Sequence, residues 1–223
     1  MIKAVVFDLD DTLYMEKEYV ISGFQEVDLW VRRHFKVQGF FEKAILLFNQ
    51  GHRGHIFNEA LELLNTDIDY GKVQQMIRVY REHLPNIQLY PDARWALQYF
   101  FDKAVTGLLT DGFLEAQRQK VKALGIGSCF KSIVYSDEMG REYWKPSPIP
   151  YIRISMNMGI DPKQCVYIGD NPQKDFIMAK RLGWTTICVK RADDLYSGVA
   201  IGSDYLADYQ ISTLYELKHI NFL

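Results

Sequence analysis

The sequence predicts an α/β fold, a parallel sheet flanked by helices, with a helical cap inserted after the first strand. Three observations predict it. Short, near-continuous apolar runs of strand length recur along the chain, as they do in strands covered on both faces. After about residue 86 these runs alternate with helix-length segments, the pattern of parallel strands joined by helical crossovers. Between the first run and the others lies a stretch, 15–85, whose apolar residues recur only at helical spacing.

The first strand is IKAVVF, residues 2–7, apolar and β-branched. In the insert, Val20, Phe24, Val27 and Val31 mark one helical stripe, and FFEKAILLF (40–48) reads as a second helix. Phe57, Ala60, Leu61 and Leu64 mark a third, and Val73, Met76, Ile77 and Tyr80 a fourth. His34 and His83, near helix ends, suit the negative C-terminal pole of a helix dipole. Pro85 and Pro91 bracket the exit from the insert. The alternation then runs helix 92–104, strand VTGLL (105–109), helix 113–125 closed by Gly125, and strand SIVYS (132–136). It continues with helix 147–159, which Pro148 and Pro150 confine to a start near its first turn. Strand QCVYIG (164–169), helix 172–183 and strand TTICVK (185–190) follow, with DYLA (204–207) as a further edge strand and a C-terminal helix over about 211–219. The expected organisation is a Rossmann-like catalytic core of residues 1–14 and 86–223, with a helical cap domain over 15–85.

Composition narrows the function classes. The chain has 223 residues, 48% hydrophobic and 24% charged, which suits a globular enzyme or binding protein. A net charge of −2, with no Lys/Arg block longer than a pair, leaves no electrostatic footprint for nucleic acid. No apolar stretch approaches the roughly 18 residues of a membrane span. The first apolar run meets Asp8 too soon to read as a signal peptide. Cys129, Cys165 and Cys188 are isolated, odd in number, and suit a reducing, cytoplasmic setting.

Ligands of open α/β sheets bind beyond the carboxyl ends of the strands, and polar residues collect at those ends here. The first strand runs into Asp8-Leu9-Asp10-Asp11-Thr12, and the second into Thr110-Asp111-Gly112. The loop DEMGREYWKPSP, holding Lys145, follows the third. The fourth ends in Gly169-Asp170-Asn171, with Asp175 five residues beyond Asp170. Each alone has a plain explanation: a helix N-cap for Thr110, a surface lysine for Lys145, a turn for Gly-Asp-Asn-Pro. Four in order, each after a strand, converge on one edge of one scaffold. Crowded carboxylates at a strand mouth need a cation or proton to offset their repulsion. The collection suits phosphoryl transfer, which asks for a carboxylate nucleophile, a Mg²⁺ ion to screen the phosphate, and an acid/base carboxylate. It also asks for hydroxyl, amide and lysine donors to the phosphoryl oxygens.

FDLDDTL, LLTDG, Lys145-Pro146 and GDNPQKD resemble the four ordered motifs of the haloacid dehalogenase-type (HAD) hydrolase superfamily, over about residues 3–190. The resemblance implies that Asp8 is the nucleophile and Asp10 the general acid/base. It implies Mg²⁺ held by Asp8, Asp170 and the Asp10 carbonyl, with Asp175 supporting the metal's water shell. Thr110, Lys145 and the backbone amides of Asp111 and Gly112 would bind the phosphoryl group, and Thr12 would brace the first loop. Asp11 reads as structural or as a backbone-amide donor. The insert matches the family's helical cap, which closes over small substrates.

In the cap, His52, Arg53 and His55 of NQGHRGHIF are candidates for substrate contact, against an ordinary Gly-rich turn. Trp144 is a candidate for the mouth of the site, against simple packing. LLTDGFLEAQRQKVKALGI is similar to the nucleotidase and N-acylneuraminate-9-phosphatase branch, whose members commonly carry Asn where this chain has Asp111. The carboxylate adds negative charge there, and the DEMGREYWKPSP loop is longer than that branch's. The expected activity is hydrolysis of a small phosphorylated metabolite: a sugar phosphate first, including an acidic sugar of the sialic kind, and a nucleoside monophosphate second. Phosphomutase activity and catalytically silent phosphate-ligand binding on the same fold are the alternatives. Dehalogenation fits poorly, because that chemistry needs no metal and seldom keeps a carboxylate at Asp10. Oligomeric state stays open.

Overall fold

The computed structural model describes residues 1–66, 69–191 and 202–220. They fall into two compact units, one of Glu16–Ile87 with Arg118–Ala123, the other of Met1–Met15, Gln88–Gln117 and Leu124–Leu223.

The first of these is helical: α1 (Glu16–Phe35), α2 (Phe40–Asn49), α3 (Ile56–Glu62) and α4 (Tyr70–Glu82). The stripes read from the sequence form its core, in which Val20, Phe24, Val27 and Val31 meet Phe40, Ala44, Leu47, Ala60, Leu61, Val73 and Met76. Helix α1 opens on Glu16 and Glu18 and closes on Arg32, Arg33 and His34, matching its dipole at both ends. Gly23 sits inside α1 at a cost of about 1 kcal/mol against alanine, and packing explains it: a Cβ there would run into the Tyr80 ring of α4. His34 and His83 each place Nδ1 against a last-turn carbonyl, Trp30 O at 2.8 Å and Tyr80 O at 2.6 Å.

The second unit holds a six-stranded sheet, parallel throughout. Its strands are β1 (Ala4–Phe7), β2 (Val105–Thr110), β3 (Ser132–Tyr135), β4 (Cys165–Gly169), β5 (Thr185–Val189) and β6 (Tyr209–Ile211), in the order β3-β2-β1-β4-β5-β6. Helices α5 (Pro91–Phe100), α6 (Leu114–Leu124), α7 (Ile149–Met158) and α8 (Ile177–Arg181) complete the list. Both faces of the sheet are covered, as the apolar strands require. Ala4 and Val6 face Tyr151, Ile154 and Met158 of α7, while Phe7, on the other face, meets Phe100 of α5 at 6.3 Å between ring centres. Strand order reverses at β1, whose neighbours β2 and β4 lead the chain outward in opposite directions. That opens a crevice beyond the carboxyl ends of these three strands.

Three elements differ from expectation. The edge strand is Tyr209–Ile211 rather than 204–207, because Asp208 at its mouth accepts from both Thr186 N and Thr186 Oγ1 and seats the next residues against β5. The C-terminal helix is a short 3-10 segment, Leu214–His219, opened by a Thr213–Glu216 capping box. The helix expected over 172–183 begins only at Ile177. Asn171 and Asp175 bond to nearby backbone N–H groups instead, with Asn171 Oδ1 accepting from Gln173 N and Asp175 Oδ2 from Asn171 N. No helix among the described residues is long and apolar enough to cross a membrane.

Candidate active site

Asp8 follows the last residue of β1, and its backbone N–H continues the ladder to Ile168 O at 2.8 Å. Its carboxylate is buried, with Oδ1 2.5 Å from Lys145 Nζ. Lys145 arrives from the loop after β3 on a cis Lys145–Pro146 peptide, its side chain wholly enclosed. Its ammonium has three N–H groups, and all three find acceptors: Asp8 Oδ1, Asp175 Oδ1 at 2.8 Å and Tyr167 Oη at 2.8 Å. Burial opposes the charge on Lys145, but Asp175 and Asp8 outweigh it and hold its pKa well above the ordinary lysine value.

Asp170, at the end of β4, joins Asp8 and Asp175, and one oxygen from each lies within 4.8 Å of the others. Thr12 Oγ1 donates to Asp170 Oδ1 at 3.3 Å, which braces the first loop against the fourth. Burial, with Asp175 and Asp8 adding repulsion, pushes the Asp170 carboxyl well above its ordinary range. Burial also raises Asp8, to about 7, although Lys145 pulls it down. Burial comes first in both shifts and mutual repulsion adds to it: when ionised, the three carboxylates outnumber the Lys145 ammonium that bonds to Asp8 and Asp175. An all-oxygen donor set with that excess fits a hard divalent cation, so the residues present suit Mg²⁺.

The loop after β2 supplies the next group. Thr110 is buried, and Gly112 adopts φ +124°, where a side chain would be strained and a Cβ would strike the Gln117 amide. The Asp111 carboxylate is directed into the protein, where Oδ1 accepts from Ser136 Oγ at 2.6 Å and from Lys145 N at 3.2 Å. Its Oδ2 lies 3.7 Å from Lys174 Nζ. The negative charge that the sequence adds at this position is thus matched locally, and it clips the Lys145 loop to the Thr110 loop.

Asp10 turns its two carboxylate oxygens to separate donors, Tyr14 Oη at 2.5 Å and Gln117 Nε2 at 2.8 Å. Asp11 adopts φ +52°, a left-handed conformation that Asp and Asn tolerate better than other side chains. Asp11→Asn is therefore expected to keep phosphate release within about threefold of the parent. Asp11→Val should lower stability by about 1–2 kcal/mol, the cost of forcing a β-branched residue into that conformation. Thermal melts beside activity assays check both.

Trp144 is anchored within the protein. Its Nε1 donates to Asp137 Oδ1 at 3.1 Å, Asp137 Oδ2 accepts from Leu114 N at the start of α6, and Phe113 meets the indole edge-on. His52, Arg53 and His55 lie in the helical unit, on the turn between α2 and α3. His52 Nδ1 is 2.5 Å from Glu59. The Arg53 guanidinium covers the Phe48 ring and bonds to Phe48 O and His52 O, and His55 precedes the first residue of α3. Tyr14, Gln117, Ser136, Tyr167 and Lys174 are contacts that motif reading misses. Two of them carry a signal: Lys174 stands within GDNPQKD, and alternation along β4 sets Tyr167 on the same face as Gly169, at the site end of the strand.

The acidic cluster and the buried lysine thus lie together at the carboxyl edge of a parallel α/β sheet, the fold class of many hydrolases. The sequence profile of the haloacid dehalogenase-like hydrolases matches residues 2–183, and the chain belongs to that family. It is 28% identical over 204 residues to a glyceraldehyde 3-phosphate phosphatase of Methanopyrus kandleri, covering 86% of this chain and 85% of the relative. A glyceraldehyde 3-phosphate phosphatase of Methanocaldococcus jannaschii is 28% identical over 230 residues, covering 99% of this chain and 97% of the relative. Among solved structures, a HAD phosphatase of Thermococcus onnurineus superposes with a TM-score of 0.65 at 25% identity, covering 98% of this chain and 97% of that one. With phosphatases as its relatives, the chain is a phosphoric monoester hydrolase of this family.

Proposed function

We propose that the protein is a Mg²⁺-dependent phosphatase of a small phosphorylated sugar, working through an aspartyl phosphate on Asp8. The observation that carries this reading is the meeting of Asp8, Asp170 and Asp175 around one point with Lys145 beside them. Asp8, Asp170 and the Asp10 carbonyl would hold the ion, with Asp175 supporting its water shell, and the ion when bound screens the phosphoryl oxygens from the nucleophile. An Asp8 carboxylate oxygen attacks phosphorus, the bond from phosphorus to the ester oxygen breaks, and Asp10 gives its proton to the departing alkoxide. Thr110 and the amides of Asp111 and Gly112 receive the phosphoryl oxygens, while Lys145 keeps Asp8 oriented and offsets charge. Asp10, now a carboxylate, takes a proton from water as that water attacks the aspartyl phosphate. Inorganic phosphate leaves and Asp8 is restored.

The helical segment 15–85 would act as the cap that excludes bulk water, with His52, Arg53, His55 and Trp144 as lesser candidates for shaping substrate choice. The sugar-phosphate preference rests on the phosphatase relatives named above and on the absence of any basic stretch suited to a polyanion. A panel of phosphate esters assayed with Mg²⁺ and with chelator tests the reading. Phosphate release from phosphorylated sugars, lost with chelator and weaker for nucleoside monophosphates, is the expected result. No release from any ester would overturn it.

A further inference from the structure

We infer that Gln117 is a positioning residue for the proton-transfer step, setting the Asp10 carboxyl against the phosphate-binding loop with Tyr14 as its second anchor. The inference rests on the reading of Asp10 as the general acid/base and goes beyond it.

Gln117 lies in the first turn of α6 and is 2% exposed. The two hydrogens of its amide serve two loops: Nε2 donates to Asp10 Oδ2 at 2.8 Å and also to the Asp111 carbonyl. One NH₂ group therefore bridges the loop after β1 and the loop after β2. The amide cannot flip, because a flip would set its oxygen against two acceptors. In this orientation Gln117 Oε1 is buried with no hydrogen-bond partner among the described residues. A buried carbonyl left unpaired lowers stability, so packing alone does not account for a glutamine here. Gly112 adds an independent sign of design around the amide, since any Cβ at that position would occupy the space that Gln117 fills.

Tyr14 holds the other oxygen of the pair, and its own ring is fixed. It is fully buried, and its backbone pairs with Leu89 where the chain returns from the helical insert. The neighbouring bond from Tyr90 N to Leu13 O, 2.9 Å, closes the same pairing. With Tyr14 donating to one oxygen and Gln117 to the other, the Asp10 carboxyl is held against rotation about its last torsion. A general acid works only within hydrogen-bond reach of the departing oxygen, and a misplacement of about 1 Å costs on the order of 100-fold.

Leaving-group dependence separates this role from a structural one. An alkyl phosphate such as glyceraldehyde 3-phosphate needs a proton on its departing oxygen, whereas p-nitrophenyl phosphate expels a stable phenolate without one. The quantity to compare is kcat/KM, which reports the steps up to the aspartyl phosphate that both esters form. Gln117→Met, close in volume but with no donor, should lose about 10–100-fold on the alkyl ester and no more than about threefold on the aryl ester. Tyr14→Phe should fall in the same direction, and it keeps the test open if Gln117→Met does not fold. Equal losses on the two esters, or no loss on the alkyl ester, overturn the inference. Asp10→Asn on the same pair marks the reading beneath it. If Asp10→Asn is alkyl-selective and the Gln117 and Tyr14 variants are not, only the positioning role fails. If Asp10→Asn shows no selectivity, the acid/base reading fails and takes the inference with it.

Discussion

Asp8→Asn abolishes phosphate release and leaves the fold intact: that is the expected result, with a loss of at least about 10⁴-fold, the scale of removing a catalytic nucleophile. An amide has the shape of the carboxylate but cannot form the acyl phosphate. The fold should survive because Asp8 is not placed for stability. Its carboxyl is pushed up to about 7 by burial against the pull of Lys145, so holding it ionised is unfavourable without a cation. In Asp8→Asn that strain is gone, while Lys145 keeps Asp175 and Tyr167 as partners. The melting temperature without divalent ion should therefore match or exceed the parent's. Melting curves beside phosphate release from a sugar phosphate check both halves, and turnover within about tenfold of the parent overturns the assignment of the nucleophile.

Lys145→Met is expected to damage stability and activity together, which sets it apart from Asp8→Asn. Among the described residues, the lysine is the buried cation bonded to both Asp8 and Asp175. Removing one side of a buried ion pair leaves uncompensated charge and costs about 3–5 kcal/mol. Here two carboxylates lose the same partner, so the upper part of that range applies. Activity should fall by about 10²–10³-fold or more, because Asp8 loses the ammonium that orients it and offsets charge at the site. Added Mg²⁺ should raise the melting temperature of Lys145→Met by more than it raises the parent's, because the ion then supplies the missing positive charge. Denaturant melts with and without Mg²⁺ test this, and an unchanged stability would overturn it.

The sheet was legible because its strands are apolar almost throughout. AVVF in β1 and CVYIG in β4 have no other reading once helix-length segments separate them. The four helical stripes of the insert were equally plain, since Val20, Phe24, Val27 and Val31 recur at the period of one helix face. What resisted reading were segments whose conformation is set by side chains binding backbone: Asn171 and Asp175 displacing the start of α8, and Asp208 moving the last strand. At the site, Asp8, Lys145, Asp170 and Asp175 stand in short ordered motifs, and the structure brings them together. Gln117 and Tyr14 do not stand out that way. A glutamine on a helix and an aromatic after an aspartate pair are ordinary, and only the crossing of two loops gives them a partner. Asp111 misled for a related reason. Its charge is visible in the sequence, but Ser136 and Lys174, which absorb it, are remote along the chain.

The position of β1 at the middle of the sheet also has a consequence for how the protein is made. Ala4 pairs with Val105 on one side and Cys165 on the other. Strand β1 must therefore wait for residues synthesised much later before either edge is covered. The Thr12 carbonyl just beyond it is bound by Arg191, which also grips Asp92, so part of the hold on the aspartate loop comes from a residue 179 positions later. Pairing across such separations is slow. A nascent chain that carries this apolar strand bare until β2 and β4 are made is exposed to aggregation over that interval. Truncations ending before β4 should accordingly depend on chaperones for solubility, whereas the helical insert, whose four helices lie within Glu16–Ile87, can begin to condense while translation continues.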